Sequence, residues 1–366
     1  MSLQGGGRNA PEWVAGMNRN RRPESIGISG RNASEYALRD VALRLLITII
    51  PFSLLKRCGS SKLIILYYHV VNNEDVPHIR HLYKHKSVRQ FDDDLEFLLK
   101  NYSLIGLSDV IGWVRGKDNL PPNCFLLTFD DGFREIYNII APILVDKGIP
   151  ATFFISSAFL DNRELCYQHK ACLLVEKIYK GISPGTEVAI KEILVQIGLS
   201  CSQLTQGVLK VDYRQREALD RIAEVLLVDF QGYLDEKQPY LTSAQVKKLI
   251  DRGFAIGAHS IDHPYYAALS LAEQLEQTIG SVRQIRERFG LDYGAFAFPH
   301  NDAGLSQEFF KKVQESGLID ITFGTGGMVD GDLRSHRQRI SLEKPLLPAR
   351  EIIAWQYARK LYKKLF

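Results

Sequence analysis

The chain has 366 residues, 45% of them hydrophobic, and a formal net charge of +4. That length and apolar content suit one large α/β barrel with a sizeable core, and the small net charge gives no support to a nucleic-acid-binding role. Five cysteines (Cys58, Cys124, Cys166, Cys172 and Cys201), odd in number and without a CxxC pair, argue against a disulfide framework or a thiolate metal site and suit a reducing compartment.

Residues 1–33 are rich in Gly, Asn and Arg, with a basic run from Arg19 to Arg22, and read as a disordered tail. VALRLLITIIPFSLL at 41–55 follows, interrupted by Arg44 and Pro51. It is too short for a transmembrane helix and begins too late for an ordinary signal peptide. The expectation is an apolar helix within 34–62 packed on the main domain. The alternative is peripheral membrane contact through 41–55, flanked by Arg39, Arg44, Lys56, Arg57 and Lys62. Cytoplasmic placement, or a position at the inner face of a membrane, fits both readings.

From residue 63 strand-like and helix-like stretches alternate. LIILYY (63–68), FLLTF (125–129) and ATFFIS (151–156) are continuous apolar runs, as in strands buried on both faces. Helical spacing marks 91–102 and 108–116, the latter with Ser108 as its expected N-cap, and FREIYNIIAPILVDKG (133–148) is a helix closed by glycine. Later come a helix (243–253), FAIGAHS (254–260, strand), a long helix from Ser270 to Phe289, GAFAFP (294–299, strand), a helix (306–317) and DITFG (320–324, strand). Such alternation predicts a parallel sheet with helices outside it, closed or nearly closed at this length. Residues 160–240 carry helical patterns without a strong strand and read as an insertion that borders the cleft. The catalytic domain is set at 63–345, and 346–366 is a basic C-terminal helix.

Three polar groups sit where apolar strands end. Asp130-Asp131-Gly132 follows FLLTF, and alternation along a strand sends adjacent carboxylates in different directions. Two adjacent anions after a buried strand are costly unless a cation or a function offsets them. Asp-Gly alone is also an ordinary turn signal. His259-Ser260-Ile261-Asp262-His263 follows FAIGA, and two histidines with one carboxylate match a catalytic metal site with open positions. Phe298-Pro299-His300 follows GAFA and is weak by itself.

Together TFDDG (128–132), HSIDH (259–263) and FAFPH (296–300) resemble the successive motifs of the polysaccharide deacetylase family, also called the NodB-homology or carbohydrate esterase 4 group. ILYYHVV (65–71) and GIPATFFI (148–155) resemble further segments, so the likeness spans roughly 63–343. The resemblance implies a distorted (β/α) barrel of about seven strands, here with a helical insertion, and removal of acetyl groups from N-acetylated glycans. It implies one divalent ion, zinc first and cobalt or nickel as alternatives, held by Asp131, His259 and His263. It further implies Asp130 as the general base acting on metal-bound water and the His300 backbone N–H as an oxyanion donor, with Phe298 and Pro299 beside it. His69, ending the first strand, is expected to line the pocket, whereas His78, His81 and His85 read as surface residues.

The sequence departs from the family pattern at His300, where relatives carry Tyr or Phe. The usual arginine before the third motif and the usual general-acid histidine are not evident. Arg339, just before Ile340, is expected to pair with Asp130, and His336 to protonate the amine; a solvated basic loop is the competing reading of 333–340. A carbohydrate-binding pseudoenzyme on the same fold and an amidase acting on a non-sugar amide are the alternative functions.

Overall fold

The structure is a computed structural model that describes Leu43 and residues 47–59, 61–200, 202–329 and 333–365. The expected tail at 1–33 lies outside the described residues, as does most of 34–46.

The barrel strands are β1 (Leu63–Tyr68), β3 (Cys124–Phe129), β4 (Ala151–Ile155), β5 (Ala255–Ala258), β6 (Ala295–Ala297), β7 (Ile321–Gly324), β8 (His336–Gln338) and β9 (Ile340–Ser341), with a two-residue β2 (Ser103–Leu104) beside the start of β3. All pair in parallel, in the order β8-β7-β6-β5-β4-β3-β1-β9. β8 and β9 are one strand kinked at Arg339, whose N–H donates to Gly324 (3.1 Å) and whose carbonyl accepts from Gly327 (3.0 Å). Through that strand the sheet turns from β7 to β1, closing a seven-position distorted (β/α) barrel. Residues 333–340 are therefore the closing strand and its approach, not a solvated loop. Basic side chains hid it, because an Arg- and His-rich strand lacks the apolar alternation on which sequence reading depends.

Strand alternation sorts the core into two faces. Ile65, Leu126, Phe154, Ala297 and Phe323 fill the barrel, and helix α2 (Leu107–Val114) closes its bottom with Leu107, Val110 and Ile111. Gly106, not Ser108, caps that helix, and its N–H is held by Asp109. Leu66, Leu127 and Phe153 point outward under α1 (Val88–Asn101) and the surrounding helices. Each such fully buried side chain contributes about 1.5–3 kcal/mol relative to exposure.

The helix after β3 opens with a π turn at Ile136–Ile140, and the helix preceding β6 holds another at Glu276–Gly280. Five helices occupy the insertion between β4 and β5: Tyr167–Tyr179, Pro184–Gln196, Leu204–Leu209, Glu217–Leu226 and Phe230–Lys237. Their apolar faces make a second core; Leu219, Ile222, Ala223 and Leu226 recur at helical spacing on one buried stripe. Phe133 and Val70, from the barrel mouth, belong to that core, so the insertion sits on the end of the barrel where β1 and β3 finish.

The C-terminal helix (Ala349–Leu365) buries Ile352, Ile353 and Tyr357 against the barrel's outer core. It packs on the short helix Phe52–Gly59, whose Gly59 admits the Tyr357 ring so closely that a Cβ there would lie 2.4 Å from it. In the segment 41–55, Leu43 and Leu55 are buried while Ile49 and Leu54 are exposed. Among the described residues no helix is long and apolar enough to cross a membrane.

Candidate active site

Asp130 continues the β3 ladder, its N–H donating to the Tyr68 carbonyl (2.9 Å), and so keeps the inward alternation of Leu126 and Thr128. There it meets Arg339 from the kink of the closing strand. The guanidinium donates to both carboxylate oxygens, at 2.6 and 2.7 Å, and to Thr128 Oγ1 at 3.1 Å. Its carbon stands 4.7 Å from the centre of the Tyr67 ring, and the side chain is fully buried. Burial alone would raise the Asp130 carboxyl, but Arg339, joined by His259 and His69, holds the group below the usual carboxylate range.

Asp131 breaks the alternation. Its φ of 69° and that of Gly132 (67°) are left-handed, and this double turn swings the Asp131 carboxylate towards the loop after β5. His259 Nε2 lies 3.3 Å and His263 Nε2 3.2 Å from Asp131 Oδ1, and one ligating atom from each of the three residues falls within 4.8 Å of the others. His259 Nδ1 donates to the Ala297 carbonyl at 2.8 Å, which fixes the ring and turns a bare Nε2 to the centre. Asp131 Oδ1 and His259 Nε2 are buried without a hydrogen-bond partner. Leaving such atoms unsatisfied costs about 1–3 kcal/mol each. One divalent cation satisfies them together, so the residues present fit a metal ion. Burial pushes the His263 pKa down, but the Asp131 carboxylate, with Cys166 beside it, raises it to about 10 overall.

Backbone strain gathers at the same place. Ser260 (φ 66°), His263 (63°) and His300 (55°) join Asp131 as non-glycine residues in the left-handed region. Each such residue costs about 1–3 kcal/mol and persists only where its surroundings hold it, typically at functional sites.

The third motif runs past the trio. Phe298 is buried and its N–H donates to Phe323; Pro299 follows, and the His300 carbonyl accepts from Thr325 Oγ1 at 2.8 Å. The His300 ring lies flat on Tyr265, with centroids 3.7 Å apart, and meets the His263 ring edge-on. Burial and the neighbouring His263 keep it well below the ordinary histidine range.

His69 ends β1 with its Nδ1 bonded to Glu343, which also accepts from the Val70 N–H at 3.1 Å. Burial lowers the His69 pKa, but Glu343 and then Asp131 raise it, to about 9 overall. Glu343 escaped the sequence reading because it stands 274 residues from its partner, with no local pattern around it.

Two placements correct the sequence expectations. His336 shares the outward face of the closing strand, opposite Arg339; its Nδ1 bonds Thr322 Oγ1 (2.8 Å) and its Nε2 bonds Asp302 (2.9 Å). The structure therefore does not bring it to the trio. His78 is not at the surface: it is 4% exposed, bonded to the Tyr233 hydroxyl at 2.9 Å and packed against Phe133. His81 and His85 are half-buried; His81 pairs with Glu176 of the insertion at 2.6 Å.

The family model described as polysaccharide deacetylase matches residues 117–318. A comparison with curated protein sequences returns no match. Among solved structures, the Streptococcus pyogenes deacetylase PplD, determined in complex with acetate, is similar with a TM-score of 0.51 and 14% identity, over 81% of this chain and 99% of that one. IcaB from Ammonifex degensii is similar with a TM-score of 0.51 and 16% identity, over 81% of this chain and 97% of that one. At these identities the structural likeness establishes the fold alone.

Proposed function

The chain belongs to the polysaccharide deacetylase family, and on that premise we propose that it is a metal-dependent hydrolase that removes acetyl groups from N-acetylated sugars of a glycan. The observation that carries the reading is the buried trio of Asp131, His259 and His263, in which Asp131 Oδ1 and His259 Nε2 have no hydrogen-bond partner.

Asp131, His259 and His263 would hold a divalent ion, zinc by the borderline character of the donors and cobalt or nickel as substitutes, which would lower the pKa of water and polarise the acetyl carbonyl. Asp130 takes the proton from the attacking water. Arg339 keeps it ionised, and a carboxylate engaged by one bidentate guanidinium retains lone pairs for that proton. The His300 N–H donates to the developing oxyanion; the left-handed φ turns it relative to the His300 carbonyl, which Thr325 Oγ1 anchors. His69 supplies the proton to the departing amine. Raised to about 9 and fastened by Glu343, it is protonated at neutral pH, and it feels both Asp131 and Asp130.

Acetate release from a panel of N-acetylated glycans, with and without added zinc, cobalt or nickel, tests the proposal. Metal-stimulated release from at least one glycan is expected. Acetate release that a strong chelator leaves unchanged would exclude the metal-dependent reading, and a metal-loaded protein that binds glycans but releases no acetate would point to a pseudoenzyme.

A further inference from the structure

The loop that carries both histidines is held from three sides. From below, its Ser260 and Ile261 carbonyls accept from the N–H groups of Ser157 (3.2 Å) and Ala158 (2.9 Å). From the side, Gln277 in the second π turn accepts from the Ile261 N–H (2.9 Å) and donates to Asp262 Oδ1 (2.8 Å). From above comes the insertion. The Tyr213 hydroxyl donates to both oxygens of Asp262, at 3.0 and 2.7 Å.

Asp262 is the residue immediately before His263, and it does not face the trio's centre. Its carboxylate is occupied by Gln277 and Tyr213, with Arg216 at 3.9 Å. Tyr213 is itself fixed: Asp212 caps its short helical turn, Arg216 lies 4.2 Å over its ring, and Tyr167 meets it edge-on. The insertion thus delivers a rigid donor to the residue next to a strained histidine of φ 63°. A left-handed histidine reverts to an ordinary backbone conformation unless its neighbours hold it. A charge-assisted bond to the adjacent side chain is such a hold.

We propose that Tyr213 is a positioning residue for the metal site, through which the helical insertion fixes Asp262 and so keeps His263 turned towards Asp131. The insertion then does more than border the cleft. It completes the frame of a site whose donor residues all come from the barrel. This inference rests on the reading of Asp131, His259 and His263 as metal ligands.

Two measurements on the full-length protein test it separately from that reading. In the first, the dissociation constant of cobalt(II) is measured by chelator competition for wild type, Tyr213→Phe, Asp262→Asn and His263→Ala. Outer-shell partners of metal ligands typically govern about 10–100-fold in affinity, and Tyr213→Phe is expected at the lower end of that range, near tenfold. As a control, Arg221→Ala, which removes an exposed bond to Gln196 elsewhere in the insertion, should leave the constant unchanged. In the second, hydrogen exchange of the Ile261, Asp262 and His263 amides is followed in metal-free protein, where the tether is read without any ion. Faster exchange in Tyr213→Phe is expected. An unchanged cobalt constant in Tyr213→Phe, with binding lost in His263→Ala, would overturn the tether and leave the metal reading standing. Cobalt binding as tight in His263→Ala as in wild type would overturn the metal reading, and the positioning role with it, even if the exchange experiment showed the loop loosened.

Discussion

Asp130 and Asp131 are neighbours in the chain and opposites in their surroundings. Asp130 has both oxygens engaged by Arg339, whereas Asp131 has a buried oxygen, Oδ1, without a hydrogen-bond partner. A saturated polar cluster holds a shape and a charge state. An unsaturated one costs free energy until something outside the chain fills it. One residue of separation and one left-handed turn divide the two roles.

The largest effect is expected on the unsaturated side. His259→Ala or His263→Ala should abolish tight binding of one divalent ion per chain, read by elemental analysis after dialysis. Equal metal content in wild type and both variants would erase the contrast. Asp130→Asn should keep the metal and lose roughly 10²–10⁴-fold in turnover, measured as acetate release at saturating ion. If turnover survived, Asp130 would be a structural partner of Arg339 and nothing more.

Breaking the saturated side should show first in stability. Arg339→Met leaves a buried carboxylate unpaired, a change that costs roughly 3–5 kcal/mol; urea unfolding reads it directly. A smaller effect is expected at His69. Its pKa is raised by Glu343, so its contribution to stability is complete below about 6.5, the ordinary value, and fades as pH rises through about 9. Glu343→Gln should therefore lower the alkaline limb of the pH–rate profile; an unmoved limb would remove His69 from proton transfer. The smallest effect is expected at His336→Ala, which should cost roughly 1 kcal/mol through its bonds to Thr322 and Asp302 and leave turnover at the wild-type level. A selective loss of turnover there would restore His336 as the acid.

How legible these features were in the sequence follows their range along the chain. FLLTF and ATFFI announce strands because parallel strands buried on both faces are apolar throughout. TFDDG and HSIDH carry their chemistry within five residues. The closing strand did not read as one, because His336, Arg337 and Arg339 each serve a polar partner or an aromatic ring. The long helix expected from Ser270 to Phe289 contains a π turn that no period reveals, and that turn aims Gln277. Tyr213 and Glu343 reach the site across 49 and 274 residues. Such contacts are decided by tertiary packing, to which local propensity is blind.

The kinked closing strand also has a kinetic consequence. Asp130 and its counter-ion are 209 residues apart, and β1 receives its second neighbour only from residues 340–341. Contacts of such separation form late, because the loop entropy they cost must be met before they return anything. A ribosome that has translated only as far as β7 has already made Asp130, Asp131 and both histidines, yet Asp130 still lacks its counter-ion and the barrel its seam. The charge pairing of Asp130 and the topological completion of the barrel therefore arrive together, with the same short stretch of chain.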